Sequence, residues 1–365
     1  MPAITWWKWK SKIKKIRSLI WKQRGSISNL CCKGDHRMEH VNVCIIGAGN
    51  LASKRIYPYI ASAGGRLVGV CDLDFEKAGL KALLYGGRAY SDYKEMLSKE
   101  HPDCVIVCIG PEQHYQIAKE ILKLGIPVYT EKPSAPSAEM ALKLARQSEE
   151  SGVLCTTAFK KRYSVAYNRA KQWINQFDPS QLVSLSVDYA SGPYSNQSPR
   201  TEFLLDFAIH CIDVTGYLFG EAQEVFSFAK GMEGYAVSVK YRSGAVGAFN
   251  FTCARSFGVP TEEVEISVKG GNFMSIHNSS CWKITENEKP VEWREPPTFI
   301  SNGDSGNETG HFAEIVDYFQ AVRERRSTRS NIYESYKSLV LYEAIKRSAE
   351  SGQVVPVQYE SVTKI

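Results

Sequence analysis

From residue 41 onward the apolar positions follow two regimes. Runs apolar at nearly every position, at 41–46, 67–71, 104–109, 126–129 and 153–157, alternate with stretches of helical spacing at 75–84, 90–99, 112–124 and 138–151. Strands apolar on both faces belong in a parallel sheet covered by helices, so residues 39 to 157 predict a doubly wound α/β domain. Beyond about residue 160 the strands come in succession, at 182–189, 224–229, 235–241, 245–252, 264–269 and 273–277. Short connections such as Arg242-Ser243-Gly244 and Gly270-Gly271 suggest a meander. Residues 158 to 365 therefore predict an α+β domain with a largely antiparallel open sheet, closed by helices at 310–323 and 334–350.

Residues 1 to 38 do not fit either regime. Residues 1 to 40 carry a net charge of +8, which leaves −2 for the rest of a 365-residue chain of +6. Four of the seven tryptophans, Trp6, Trp7, Trp9 and Trp21, lie there with Ile13, Ile16, Leu19 and Ile20 among lysines. One expectation is a helix lying on an anionic membrane surface through residues 1 to 24; the other is a disordered tail, or an overlong start, since Met38 immediately precedes the first strand. With that segment set aside the body is not basic, so no nucleic-acid partner is expected. No apolar run is long enough to span a bilayer. The ten cysteines form no CxxC pair, and Cys44, Cys71, Cys104 and Cys108 fall in expected buried strands, so they read as core residues of a cytoplasmic protein without a metal site.

The stretch VNVCIIGAGNLASKRIYPYIASAGGRLVGVCDLD contains, in order, a strand, a glycine turn, a helix, a strand and an acid. Gly47 and Gly49 let bare backbone approach a pyrophosphate, Asn50 and Leu51 open the helix, and Ala52 is small enough to pack on the sheet. Asp72 lies 20 residues past Ala52, where a carboxylate accepts ribose hydroxyls and repels a 2′-phosphate. The expected cofactor is NAD in preference to NADP.

Three further segments carry chemistry. Thr130-Glu131-Lys132-Pro133 follows a parallel strand, at the edge where open α/β sheets bind ligands, and the Lys132 ammonium there would stabilise a developing alkoxide. The run from Phe203 to Val214 reads as a buried helix with Asp206, His210 and Asp213 at i, i+4 and i+7 on one face. His210 suits proton transfer, and either aspartate is placed to orient it. In Gly110-Pro111-Glu112-Gln113-His114, Pro111 starts a helix and His114 is expected beside the nicotinamide ribose.

As a set, GAGNLA with VCDLD, GPEQH, EKP and LLDFAIHCID, in this order, resemble the glucose–fructose oxidoreductase, inositol dehydrogenase and MocA family over roughly residues 40 to 358. Phe159-Lys160-Lys161-Arg162-Tyr163 and the late TGHFAEIVDYFQAV look like further family elements. The resemblance implies a Rossmann domain, a C-terminal sheet that forms homo-dimers or homo-tetramers, and oxidation or reduction of sugars, cyclitols or nucleotide sugars with NAD or NADP. It implies Lys132, Asp206 and His210 as catalytic residues, with Glu131 and Lys132 also facing the cofactor. Lys160, Arg162, Arg200 and Glu202 are expected to line the substrate entrance together with the catalytic three. The chain departs from many relatives in having Arg200-Thr201-Glu202 and Ala208 where glycines are common. Two rival readings remain open in the sequence: a redox-neutral glycosidase that recycles bound NAD, and a dinucleotide-binding sensor without turnover.

Overall fold

A computed structural model describes residues 40–194, 202–259, 261–295 and 306–362. The basic extension over residues 1 to 38, with its expected membrane-surface contact, and Arg200 lie outside the described residues. Six parallel strands form the first sheet, in the order β3-β2-β1-β4-β5-β6. They are β1 (Val41–Ile46), β2 (Gly65–Cys71), β3 (Arg88–Tyr90), β4 (Cys104–Val107), β5 (Val128–Thr130) and β6 (Cys155–Thr157). Every residue of β4, and all of β1 except Asn42, is buried, as two covered faces require. The order reverses between β1 and β4, and the crevice at the strand ends there is where such sheets take ligands.

The flanking helices begin where their caps lie. Asp74 accepts from the Lys77 N–H and Asp92 from the Lys94 N–H, which starts the helices Phe75–Tyr85 and Tyr93–Glu100. The helix expected from residue 90 therefore starts at Tyr93, and Tyr90 is instead the end of the short edge strand β3. Cys44, Cys71, Cys104 and Cys108 are free and buried, as expected.

The second sheet has nine strands in the order β14-β13-β12-β11-β7-β10-β9-β8-β15. The strands are β7 (Leu182–Ala190), β8 (Ala222–Lys230), β9 (Gly234–Tyr241), β10 (Val246–Thr252), β11 (Thr261–Val268), β12 (Asn272–His277), β13 (Cys281–Glu286), β14 (Lys289–Arg294) and β15 (Val355–Pro356). All pairings are antiparallel except β7 with β10. That parallel pair puts β7 at the centre, so the sheet is more than the meander its turns suggest. Burial alternates along β9, β10 and β11, and the inward set of Val237, Val239, Phe249, Phe251, Val264 and Ile266 contributes about 1.5–3 kcal/mol per side chain. The helices Ile209–Phe219 and Ile332–Ser351 cover that face.

Sequence distance does not follow the packing. The late helix His311–Glu324 places Ile315, Tyr318 and Phe319 in one core with Val41, Val43 and Ile45 of β1. A linear boundary at residue 157 therefore cuts through that core. Among the described residues no helix is long and apolar enough to cross a membrane.

Candidate active site

The glycine turn closes on the switch point. Gly47 has φ +110°, and a Cβ there would collide with the carbonyl oxygen of Cys108, so only glycine fits. Its N–H donates to the Cys71 carbonyl at 2.8 Å, and the Tyr57 hydroxyl donates to the Gly47 carbonyl at 3.0 Å. Gly49, Asn50 and Leu51 are exposed, with open space beside Gly49, whereas Ala52 is buried against the sheet. Asp72 does more than the sequence suggests: its Oδ2 accepts from the Ala48 N–H at 2.7 Å and its Oδ1 from the Asp74 N–H at 2.9 Å. The carboxylate ties the turn to β2 and keeps further lone pairs for ribose hydroxyls. An open backbone cradle beside a strand-end carboxylate fits a dinucleotide.

On the other side of the crevice, β5 ends in Glu131-Lys132-Pro133, with a cis Lys132–Pro133 peptide. Lys132 reaches across to the segment from Phe203 onward. Its Nζ lies 2.8 Å from Asp206 Oδ1 and also donates to the Asp206 carbonyl oxygen. Tyr194 donates to the other carboxylate oxygen of Asp206 at 2.7 Å. No signal in the sequence marked Tyr194. Residues Leu204–Ala208 form a π-helical turn, and the α-helix runs only from Ile209. This takes Asp206 out of the expected stripe and leaves it facing Lys132, whereas Asp213, in the regular helix with His210, pairs with Arg162.

His210 stands at the start of that helix, with its ring edge-on to Phe159 at 6.4 Å between centroids. Its Nδ1 is buried and makes no hydrogen bond to the described residues, so neither aspartate orients it in this structure. Burial, and then the charges of Lys132 and Lys160, hold its pKa well below the ordinary value. The imidazole is therefore neutral and able to accept a proton.

Several expected site residues are placed elsewhere. His114 is buried, with both ring nitrogens bonded inside the protein: its Nδ1 bonds the Pro133 carbonyl at 2.9 Å, and its Nε2 accepts from the Ile109 N–H at 3.2 Å. It braces the turn that carries Lys132. Arg162 is also buried, held by Asp213 through Nε–Oδ2 at 2.8 Å and Nη2–Oδ1 at 2.7 Å, with Glu334 and the Arg329 carbonyl on Nη1. It is a buried ion pair, with four of its five N–H donors taken inside the protein. Glu202 turns to the last helix, where Tyr342 donates to it at 2.7 Å and Lys346 lies at 2.9 Å. Pro111 opens the helix Pro111–Lys123 as expected.

A second group of ionisable side chains adjoins Lys132. Glu131 is buried, and its Oε2 accepts from the Lys132 N–H at 3.1 Å. Glu314, from the late helix, accepts from Tyr129 at 2.9 Å, while its buried Oε1 has no partner among the described residues. Burial, and then the charge of Glu131, push the Glu314 carboxyl well above its usual range. Its position within TGHFAEIVDYFQAV was the only trace in the sequence.

The chain matches two family models, the oxidoreductase family with NAD-binding Rossmann fold over residues 41–159 and its C-terminal α/β domain over residues 194–358. It belongs to this family. Inositol 2-dehydrogenase of Burkholderia cenocepacia is 21% identical over 342 residues, spanning 87% of this chain and 96% of that protein. Glycosyl hydrolase family 109 protein 1 of Akkermansia muciniphila is 28% identical over only 130 residues, 33% of this chain and 27% of that protein. The structure of levoglucosan dehydrogenase in complex with NADH and L-sorbose superposes with a TM-score of 0.79 at 19% identity, over 88% of this chain and all of that one. NAD is the cofactor that this family fold and the glycine crevice call for.

Replacing Asp72 with alanine removes both the clamp on Ala48 and the acid at the ribose position. NAD affinity is expected to fall by roughly 10- to 100-fold, and the preference over NADP to narrow. Titration with NADH and NADPH checks this; an unchanged preference would assign ribose recognition to other residues.

Proposed function

We propose that this oxidoreductase transfers hydride between NAD and a carbinol or ketone carbon of a sugar or cyclitol, with Lys132, Asp206 and His210 as its catalytic residues. The observation that carries this reading is the 2.8 Å contact of Lys132 Nζ with Asp206 Oδ1, which joins the edge of the parallel sheet to the helix that bears His210. When bound, the nicotinamide supplies the hydride acceptor or donor. The dinucleotide would be held by the Gly47–Ala52 turn and Asp72. His210, whose Nδ1 has no partner among the described residues, takes a hydroxyl proton or returns it to a ketone oxygen. Lys132 donates a hydrogen bond to that oxygen as it gains charge, and Asp206 and Tyr194 fix the direction of the ammonium.

The names of the relatives support a polyhydroxylated substrate. The buried free cysteines support a reducing, cytoplasmic setting. Phe228 and Val246 on the second sheet are 66% and 52% exposed and support association into a homo-dimer or homo-tetramer through that sheet.

The test is NADH formation from NAD and a panel of sugars and cyclitols. At least one free polyol should give net NADH, and Lys132→Met should lower kcat/KM for it by about 100-fold with NADH affinity unchanged. A Lys132→Met enzyme with full activity would contradict the assignment. Cleavage of an aryl glycoside without net NADH would replace it with a redox-neutral glycosidase.

A further inference from the structure

The segment after β6 carries three cations in succession, and two of them are spoken for. Lys161 pairs with Glu262 and lies over the Tyr189 ring, and Arg162 is locked to Asp213. Lys160, which opens the turn Lys160–Tyr163, makes no hydrogen bond or ion pair with any described residue. It is half-buried, and its backbone is fixed from behind: a Cβ on Gly310 would collide with the Lys160 carbonyl oxygen. Phe159, the residue before it, packs against the ring of His210.

The acids around Lys160 have other partners. Glu131 accepts from the Lys132 backbone, Glu262 from Lys161, Tyr167 and Ser279, and Glu314 from Tyr129. Arg55, Lys161, His210 and His311 add positive charge or neutral rings to the same surroundings. A half-buried ammonium is stable only with a counter-charge or water, and burial followed by the charge of Lys161 brings the Lys160 pKa down to about 8. A carboxylate bound there would satisfy the amine through charge-assisted hydrogen bonds, whereas a sugar hydroxyl would leave its charge uncompensated.

We propose that Lys160 is a specificity-determining residue that recognises a carboxylate on the substrate, so that the enzyme selects an acidic sugar or cyclitol, such as a uronate or aldonate, over its neutral counterpart. The proposal rests on the hydride-transfer reading of the same site, but its test does not require turnover.

The experiment is calorimetric binding to the NADH-loaded full chain of three pairs: D-glucuronate and D-glucose, D-galacturonate and D-galactose, D-gluconate and D-glucitol. At least one acid should bind on the order of 10- to 100-fold more tightly than its neutral partner. Lys160→Met should abolish that preference, and Lys160→Arg should keep most of it. Because the bound carboxylate raises the pKa of an amine that is largely neutral at pH 8.5, acid binding at that pH should take up a proton, seen as a buffer-dependent enthalpy that Lys160→Met lacks. A panel in which no acid exceeds its neutral partner overturns the proposal, as does an equal loss of both in Lys160→Met. Weaker NADH binding with the preference intact would assign Lys160 to the dinucleotide instead. Tight acid binding without hydride transfer would leave this proposal standing and defeat the functional reading beneath it.

Discussion

Replacing His210 with asparagine should lower kcat by about 100-fold or more while leaving NADH affinity nearly unchanged. The side chain stands beside Phe159 on the substrate side of the crevice, whereas the glycine turn and Asp72 form the dinucleotide side. Asparagine keeps a polar group of similar reach but cannot accept and release a proton near neutral pH. The pH profile gives a second readout. Burial and the neighbouring lysines depress the His210 pKa well below 6.5, so its base form persists as pH falls through the range where a free histidine would protonate. The oxidative rate of the wild type should therefore hold through pH 6.5 and decline only at lower pH. The variant should lose that acid limb. Equal damage to NADH affinity would refute the division of labour.

The second large effect is on stability. Asp213→Ala should cost about 3–5 kcal/mol, because it leaves the Arg162 guanidinium buried with Glu334 as its remaining carboxylate partner. In a chain of this size that corresponds to a fall in Tm on the order of 10 °C, measured by calorimetry. The double replacement Arg162→Met with Asp213→Leu should recover much of the loss, since it removes both charges rather than one. A single variant as stable as the wild type would show that the buried pair contributes nothing. Restored stability without activity in the double variant would still fit, because this helix also carries His210.

The parts of the molecule legible in the sequence were those in which one residue type answers one local demand. The GAGNLA turn was readable because Gly47 must take φ +110° against the Cys108 carbonyl, and the buried strands because both their faces are apolar. Lys132 and Asp206 were identified, and the structure brings them together. The readings that failed concerned which way a polar side chain turns. His114 had the right position in the chain for a cofactor contact, but both its ring nitrogens are used inside. Asp206 shares a helical stripe with His210 in the sequence, but the π turn at Leu204–Ala208 shifts its phase, while Asp213 is held by the buried Arg162. Such a turn leaves no composition signal. The helix Val165–Ile174 and the strands β13 and β14 also escaped notice, the strands because only two buried residues, Ile284 and Thr285, mark them. Tyr194 and Glu314 lie 12 and more than 100 residues from their partners, so only the fold could join them.

The central claim is that Lys132, Asp206 and His210 act as one unit on the substrate oxygen. It is tested most directly by the single-turnover rate of NADH formation, with the best polyol of the panel, in the wild type, Lys132→Met, His210→Asn and the double variant. Residues that act as a unit are strongly non-additive, so the double variant should be about as slow as the worse single one, with NADH affinity preserved throughout. Losses that multiply, or a single variant that keeps the wild-type rate, would contradict the account.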